Sequence, residues 1–289
     1  MKKTHKVLLV LLGVIVLAVT GFKAMQPKEP VYQGRKLSEW MAKVSRNPAI
    51  VDPAANEALY VMRNEALPII ERNLLSLEYI SKAPAWKKRM WDWQIKHNIG
   101  AKHTWWNQYD ANLGALRVLG TNAIPVLKRL SLESDYYGEC TDMLSKAGGV
   151  EELLSLLQTG SKELKRSVIF NLGHIPTIPD QIAAPLYAAS QDKDYDISKE
   201  AIIALTRLGV RTNLVLPHYQ KLLESADWKV RDNAATYAGN WGTNAQSLVP
   251  ALTHLLGDEK EAVRNSAAST LEYLNQTYGI QTNLVKVGP

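Results

Sequence analysis

The chain has 289 residues, of which 46% are apolar and 21% are charged, so it is long enough to bury a sizeable core. Two segments account for its net charge of +6. Residues 1–36 carry seven Lys or Arg and one Glu, and residues 79–106 carry six Lys or Arg and one Asp. The remainder is close to −5, so the basic pI does not describe the whole surface and we expect no nucleic-acid partner. The single Cys140 excludes an intrachain disulfide.

The N-terminus has the pattern of an export signal. Lys2, Lys3 and Lys6 precede the run Val7–Phe22, which contains no charged residue. A helix of this length spans about 24 Å, slightly less than a hydrocarbon core of about 30 Å. Both a cleaved signal peptide and an uncleaved anchor therefore stay open, and we favour the anchor. We predict a signal anchor and tether over residues 1–30, with the body outside the cytoplasm by the positive-inside tendency.

Residues 79–106 are unusual in composition and are predicted to be irregular. Five of the eight Trp lie here, interleaved with Lys and Arg. One interpretation is a longer helix pair whose Trp rings pack on the rest of the body. Another is a surface that binds a glycan, an anionic envelope polymer or membrane headgroups, because Trp and Lys suit such interfaces. A hot spot for a partner protein is a third. The candidate binding residues are Trp86, Lys87, Lys88, Arg89 and Trp93.

A repeat with a period of 33 residues follows. Leu164, Ile197, Val230 and Val263 are spaced 33 residues apart, and we call them the anchors of the repeat. After each anchor, apolar residues follow at offsets 4, 5 and 8, which lie on the same face of a helix as the anchor. At offset 4 the three later units have Ala, namely Ala201, Ala234 and Ala267. The helices that begin at successive anchors, the first helices of the units, are therefore predicted to pack closely at this position. An internal repeat of this length predicts stacked helix pairs.

A second helix is predicted in each unit. The apolar runs are Ala183–Ala189, Leu214–Leu223 and Leu248–Leu256, and each contains an early Pro, which the first turn of a helix tolerates. Asp194 and Asp227 come three residues before the anchors Ile197 and Val230, where helix-capping residues are expected.

Several segments resemble bacterial HEAT repeats of the short variety. The stretches Asp227–Ala235 and Glu261–Ala268 carry the resemblance most clearly, and Tyr32–Met41 is similar to the start of secreted or anchored bacterial HEAT-repeat proteins. The resemblance implies an all-α solenoid of six to seven helix pairs over residues 31–289. It also implies that Arg231 and Arg264 bond to turn acids and carbonyls of adjacent units.

Motifs for catalysis and metal binding are largely missing from the sequence. Asp192, Asp194 and Asp196 resemble a calcium loop, but Ile197 stands where the loop needs Gly, so we interpret them as turn and cap residues. Cys140 is expected to be a helix-packing residue and not a reactive thiol. We expect no cofactor and no metal.

The sequence as a whole favours a non-enzymatic, protein-binding scaffold of the bacterial cell envelope. It would be anchored in the inner membrane by one N-terminal transmembrane helix, or be cleaved and secreted. One alternative is a module that binds a glycan or an anionic envelope polymer through the Trp- and Lys-rich segment. Another is a HEAT-type glycosylase or lyase, which the export signal disfavours. The sequence leaves the oligomeric state open.

Overall fold

The computed structural model describes residues 29–44, 52–86, 89, 105–175, 180–209 and 215–282. The predicted signal anchor and most of its tether lie outside the described residues. No helix within the described ranges combines the length and the apolar character needed to span a bilayer.

The described chain is helical apart from a short hairpin and turns. The helices, in chain order, are α1 Leu37–Met41, α2 Pro53–Val61, α3 Arg63–Ser81, α4 Trp105–Leu119, α5 Ile124–Glu133, α6 Tyr137–Lys146, α7 Val150–Thr159, α8 Lys162–Leu172, α9 Ala183–Ser190, α10 Tyr195–Gly209, α11 Leu216–Leu223, α12 Trp228–Ala238, α13 Val249–His254 and α14 Glu261–Tyr278. Short 3₁₀ turns cover Gly120–Ala123, Asp180–Ile182, Gly239–Leu248 and Leu255–Gly257.

The helices form two layers. The first layer contains the even-numbered helices, and α6, α8, α10, α12 and α14 contact one another in that order. The second layer contains the odd-numbered helices from α3 to α13, where α5 contacts α3 and α7, and α11 contacts α9 and α13. Each unit is thus a first helix followed by a second helix, and α14 begins one further unit. This arrangement confirms the prediction of an all-α solenoid.

The start of the body contains an element that was not predicted. Val31–Tyr32 (β1) and Arg35–Lys36 (β2) form a two-stranded antiparallel hairpin, which the sequence pattern did not predict. The Trp40 indole N–H donates to the Tyr32 carbonyl at 3.1 Å and ties the hairpin to α1. Residues 79–81 continue α3 and residues 105–106 begin α4, and most of the predicted Trp- and Lys-rich segment 79–106 lies outside the described residues.

Helix starts use the side chains that the sequence predicts. The Asp227 carboxylate accepts the Lys229 N–H at 2.9 Å. The Asp194 carboxylate accepts the N–H groups of Asp196 and Ile197 at 3.0 and 3.3 Å. These N–H groups have no partner inside the helix, so the side chains satisfy them. The predicted capping roles of Asp194 and Asp227 are confirmed.

Small residues let the first helices approach closely. Ala201, Ala234 and Ala267 occupy the same position of successive units, and all three are completely buried. At Gly173 the approach is closer still, because a Cβ added there would lie 2.9 Å from the Cβ of Ala204. The predicted register of the repeat is therefore confirmed by burial.

Cys140 behaves as a packing residue. It is fully buried, and burial raises the pKa of its thiol to about 12. At neutral pH the thiol therefore stays protonated, and the thiolate is the reactive form. This confirms the interpretation as a helix-packing residue.

Charged side chains connect successive units. Lys162 Nζ lies 2.9 Å from the Asp194 carboxylate and 2.7 Å from that of Asp196, and the Lys162 hydrogen bond lowers the pKa of Asp194. These acids are thus engaged in caps and ion pairs. The described residues contain no group of three or more His, Cys, Asp or Glu that could hold a metal ion.

Arg231 has the role that the resemblance implies. Its Nε and Nη2 donate to the Asp258 carboxylate at 2.7 and 3.1 Å, and its Nη1 donates to the carbonyls of Ser225 and Ala226 at 2.7 and 3.1 Å. Arg264 Nη1 donates to the Asp258 carbonyl at 2.8 Å. The guanidinium groups therefore bond a turn acid and turn carbonyls, as predicted.

Candidate interaction surface

The 33-residue period places equivalent side chains of successive first helices in rows. Three positions of each unit, on α8, α10, α12 and α14 or just after the end of α8 and α12, point away from the core, and every residue at these positions is exposed or half-buried. We call this surface the ladder face. Its rows are Arg166, Lys199, Asp232 and Asn265; Phe170, Ile203, Thr236 and Ser269; and His174, Arg207, Asn240 and Tyr273.

The α8–α10 half of the ladder face is aromatic and cationic. Phe170 is 45% exposed. Its ring centroid lies 4.3 Å from the His174 ring centroid and 5.1 Å from the Arg207 Cζ. The His174 Nδ1 is 2.7 Å from the Phe170 carbonyl oxygen, so this nitrogen carries the proton that it donates. The guanidinium lies within the range of a cation–π contact.

Arg207 has unused hydrogen-bonding capacity. Its Nη1 is buried and has no hydrogen-bond partner within the described part of the chain. An unpaired buried donor carries a desolvation cost of about 1–3 kcal/mol, and because this nitrogen is shielded from solvent, a ligand at the surface does not relieve that cost. The rest of the half-buried Arg207 side chain would still attract a carboxylate by its charge. The Phe170–Arg207 pair thus offers an apolar surface beside a positive charge.

The α12–α14 half of the ladder face forms a groove of about 590 Å³. It is lined by Thr236, Gly239, Asn240, Asn265, Ser266, Ser269, Thr270 and Tyr273. None of these side chains carries a charge near neutral pH. The two halves of the ladder face therefore differ in chemistry, although they share one repeat.

The residues predicted from the sequence as a site lie at another place in the chain. Trp86 is 63% exposed and Arg89 is also exposed, close after the end of α3. Exposure of Trp86 is what a binding role for this ring requires. Lys87, Lys88 and Trp93 lie outside the described residues, so the proposed binding role of the segment stays a prediction.

Sequence reasoning missed the ladder face, although its signal was present. The repeat was identified from the buried offsets 0, 4, 5 and 8, whereas the ladder face uses offsets 2, 6 and 10 of the same register. Those offsets lie on the opposite side of the same helices. Their residue types vary from unit to unit, which conceals the pattern in a search for similarity.

Comparison with known families identifies the C-terminal repeats. Residues 215–277 match the family model described as HEAT repeats. This range runs from one residue before α11 to one residue before the end of α14. The similarity to HEAT repeats is thus confined to the C-terminal helices, where it agrees with the resemblance. No curated protein shows a significant match to the chain.

Three solved structures with some similarity to this chain are designed or engineered proteins. A designed armadillo repeat protein in complex with peptide (KR)4 is 18% identical, with a TM-score of 0.35, and covers 72% of this chain and 99% of its own. An engineered protein is 19% identical, with a TM-score of 0.35, and covers 84% of this chain and 68% of its own. A second designed armadillo repeat protein is 17% identical, with a TM-score of 0.33, and covers 83% of this chain and 100% of its own. TM-scores this low support no conclusion about this chain.

Proposed function

We propose that this chain is a non-enzymatic scaffold of the bacterial cell envelope and that it binds a protein partner through the ladder face. The observation that carries the proposal is the exposed Phe170, which lies between His174 and Arg207 in the regular rows of that face. A stacked HEAT-type solenoid supports the proposal, because such repeats create extended binding surfaces. The signal anchor and tether that the sequence pattern predicts over residues 1–30 support the proposed envelope location.

The energetics favour a hot spot at Phe170. The side chain exposes 45% of its surface, and covering that area would contribute roughly 2 kcal/mol at about 25 cal/mol per Å². Aromatic and Arg side chains dominate the binding energy of protein interfaces. The half-buried Arg207 guanidinium adds a positive charge beside the ring, with its Cζ 5.1 Å from the Phe170 ring centroid. The partner segment that fits is an apolar side chain next to a carboxylate.

Site-specific photo-crosslinking tests this proposal. A photoreactive phenylalanine analogue replaces Phe170, and in a second variant it replaces Tyr60. Tyr60 is the matched control, because it is 55% exposed and has the Arg63 Cζ at 4.7 Å, but it lies on α2. We expect one discrete partner adduct from position 170 in intact cells and none from position 60.

Point variants then separate binding from folding. Phe170→Ala and Arg207→Ala should each reduce partner capture by the purified chain, roughly tenfold for a loss of about 1.4 kcal/mol. Tyr60→Ala should leave capture unchanged, and circular dichroism should show that all three variants stay helical. Equal crosslinking at both positions, or full capture by the two ladder-face variants, would refute the proposal.

A second candidate function is binding of an anionic envelope polymer through the Trp- and Lys-rich segment. It is favoured by the exposure of Trp86 and Arg89. Replacement of Trp86 by Ala should leave the thermal midpoint unchanged, since surface substitutions usually stay within about 0.5 kcal/mol. The same variant should bind less tightly to polyglutamate or to vesicles with anionic headgroups. Unchanged binding to both probes would leave the segment with a packing role.

A further inference from the structure

The side chains that line the groove between α12 and α14 are uncharged, and the one ladder-face charge next to them, Asp232, accepts a hydrogen bond from the lining residue Ser266. All of its lining side chains are amides, hydroxyls, a tyrosine ring or glycine. The ladder-face charges of α8 and α10, namely Arg166, Lys199 and Arg207, lie outside it. Its volume of about 590 Å³ falls inside the range of roughly 300–1,000 Å³ that is typical of small-ligand sites.

One wall of the groove is held by a chain of hydrogen bonds. The Thr236 hydroxyl donates to the Ser266 oxygen at 3.2 Å, and the Ser266 hydroxyl donates to the Asp232 carboxylate at 2.6 Å. At the floor, the Thr270 hydroxyl donates to the Ala235 carbonyl at 2.9 Å. These bonds fix α14 against α12, so the groove is formed before any ligand arrives.

Other polar groups of the groove are available to a ligand. The side chains of Asn240, Asn265 and Ser269 are exposed and make no hydrogen bond within the described residues. An amide side chain offers an acceptor oxygen and two donors, and a hydroxyl offers both roles. Groups from both helices therefore present donors and acceptors to the same space.

A tyrosine ring stands at one side of these groups. Tyr273 is 45% exposed, and Tyr278 holds it in an edge contact with ring centroids 6.0 Å apart at 84°. Gly239 lets the ring approach, because a Cβ at that position would lie 3.2 Å from Tyr273 Cδ1. The groove thus combines a steadied aromatic face with uncharged donors and acceptors.

We infer that the α12–α14 groove binds a neutral saccharide chain. Sugar hydroxyls both donate and accept, which matches amides and hydroxyls, and the C–H face of a sugar ring can cover the apolar face of Tyr273. An anionic ligand would require cations, and the lining residues offer none. An extended peptide would require pockets for its side chains, and the only large apolar group in the groove is the Tyr273 ring. The inference goes beyond the proposed protein-binding function and concerns the opposite half of the ladder face.

The test uses the full chain, residues 1–289, purified in detergent and shown to be helical by circular dichroism. A glycan array identifies neutral and anionic ligands, and titration calorimetry follows with chitotetraose, maltotetraose and cellotetraose. We expect binding of at least one neutral oligosaccharide. Tyr273→Ala and Asn265→Ala should each weaken it roughly tenfold, because polar groups of a site built for hydroxyls would lose their partners.

Two matched variants make the result specific. Tyr60→Ala removes an exposed tyrosine elsewhere, and Phe170→Ala removes the proposed protein hot spot. Both should leave saccharide binding unchanged, so the saccharide result does not depend on the fate of the protein-binding proposal. Three results would each overturn the inference: no neutral glycan binds, the Tyr273 and Asn265 variants bind as well as the natural chain, or a neutral Gly- and Ser-rich peptide competes for the same residues while no glycan does.

Discussion

Replacing Gly209 by Ala should destabilise the chain by forcing a contact that the fold cannot accommodate. Gly209 is the last residue of α10, and a Cβ built on it would lie 2.2 Å from Trp241 Cζ2 and 2.3 Å from Cε2. Trp241 is itself almost completely buried and packs edge-on against Tyr219, with ring centroids 4.8 Å apart. The indole therefore has no space into which it can retreat.

The magnitude follows from two opposing terms. Overpacking a well-filled core costs about 1–3 kcal/mol and more where a large ring must move. Replacement of a helical Gly by Ala contributes up to about 1 kcal/mol in the other direction. We expect a net loss of about 1–2 kcal/mol, because contacts as short as these place the overpacking cost at the upper end of its range. Urea unfolding followed by circular dichroism measures the change.

Gly138→Ala is the matched control for this prediction. Gly138 is also helical, in α6, but nothing lies within 4 Å of a Cβ built there. The same substitution should therefore be neutral or stabilise by up to about 1 kcal/mol. A Gly209→Ala variant that is as stable as Gly138→Ala would refute the packing of α10 against Trp241.

The remaining predictions concern the repeat register, an ion pair and topology. Ala234→Leu should lower stability by about 1–3 kcal/mol through overpacking between first helices, and an unchanged thermal midpoint would contradict the register. Arg231 lowers the pKa of Asp258, so this pair stabilises the fold above the ordinary carboxyl pKa of about 4 and loses its effect as the pH falls through the lowered pKa. Asp258→Asn should therefore reduce the free energy of unfolding at pH 7 and make it fall less steeply as the pH is lowered. An equally steep fall at acid pH in the variant and the natural chain would contradict this. A reporter that is active only outside the cytoplasm should be active when fused after Pro289, and activity of a cytoplasm-only reporter there would reverse the proposed location and revive the enzyme alternative.

The sequence alone was enough for the architecture of the repeats. Anchors such as Leu164 and Val230 recur at a constant separation, and burial of one face is the dominant energetic requirement of a stacked helix. That requirement leaves a periodic signal that any single sequence carries. Helix caps such as Asp227 could also be predicted from the sequence, because a cap depends only on a side chain and on an N–H group two residues away.

Other features needed the tertiary structure. The hairpin at Val31–Lys36 is too short for a periodic signal, and its tie to Trp40 joins residues from different elements. Likewise, sequence composition drew attention to Trp86 and its neighbours, because a local excess of Trp and Lys is visible without a fold. A site composed of single residues from several units leaves no such excess.

The ladder face shows where the boundary lies between the two kinds of information. The sequence by itself determined that α8, α10, α12 and α14 stack, because the buried apolar residues repeat. Only the tertiary structure decided that Phe170 meets Arg207, or that Asn240 and Asn265 open onto one groove, because these residues belong to different units. Burial constrains the residue type at every inward position, whereas solvent constrains outward positions very little. Their identity becomes informative only once packing between helices has brought them together.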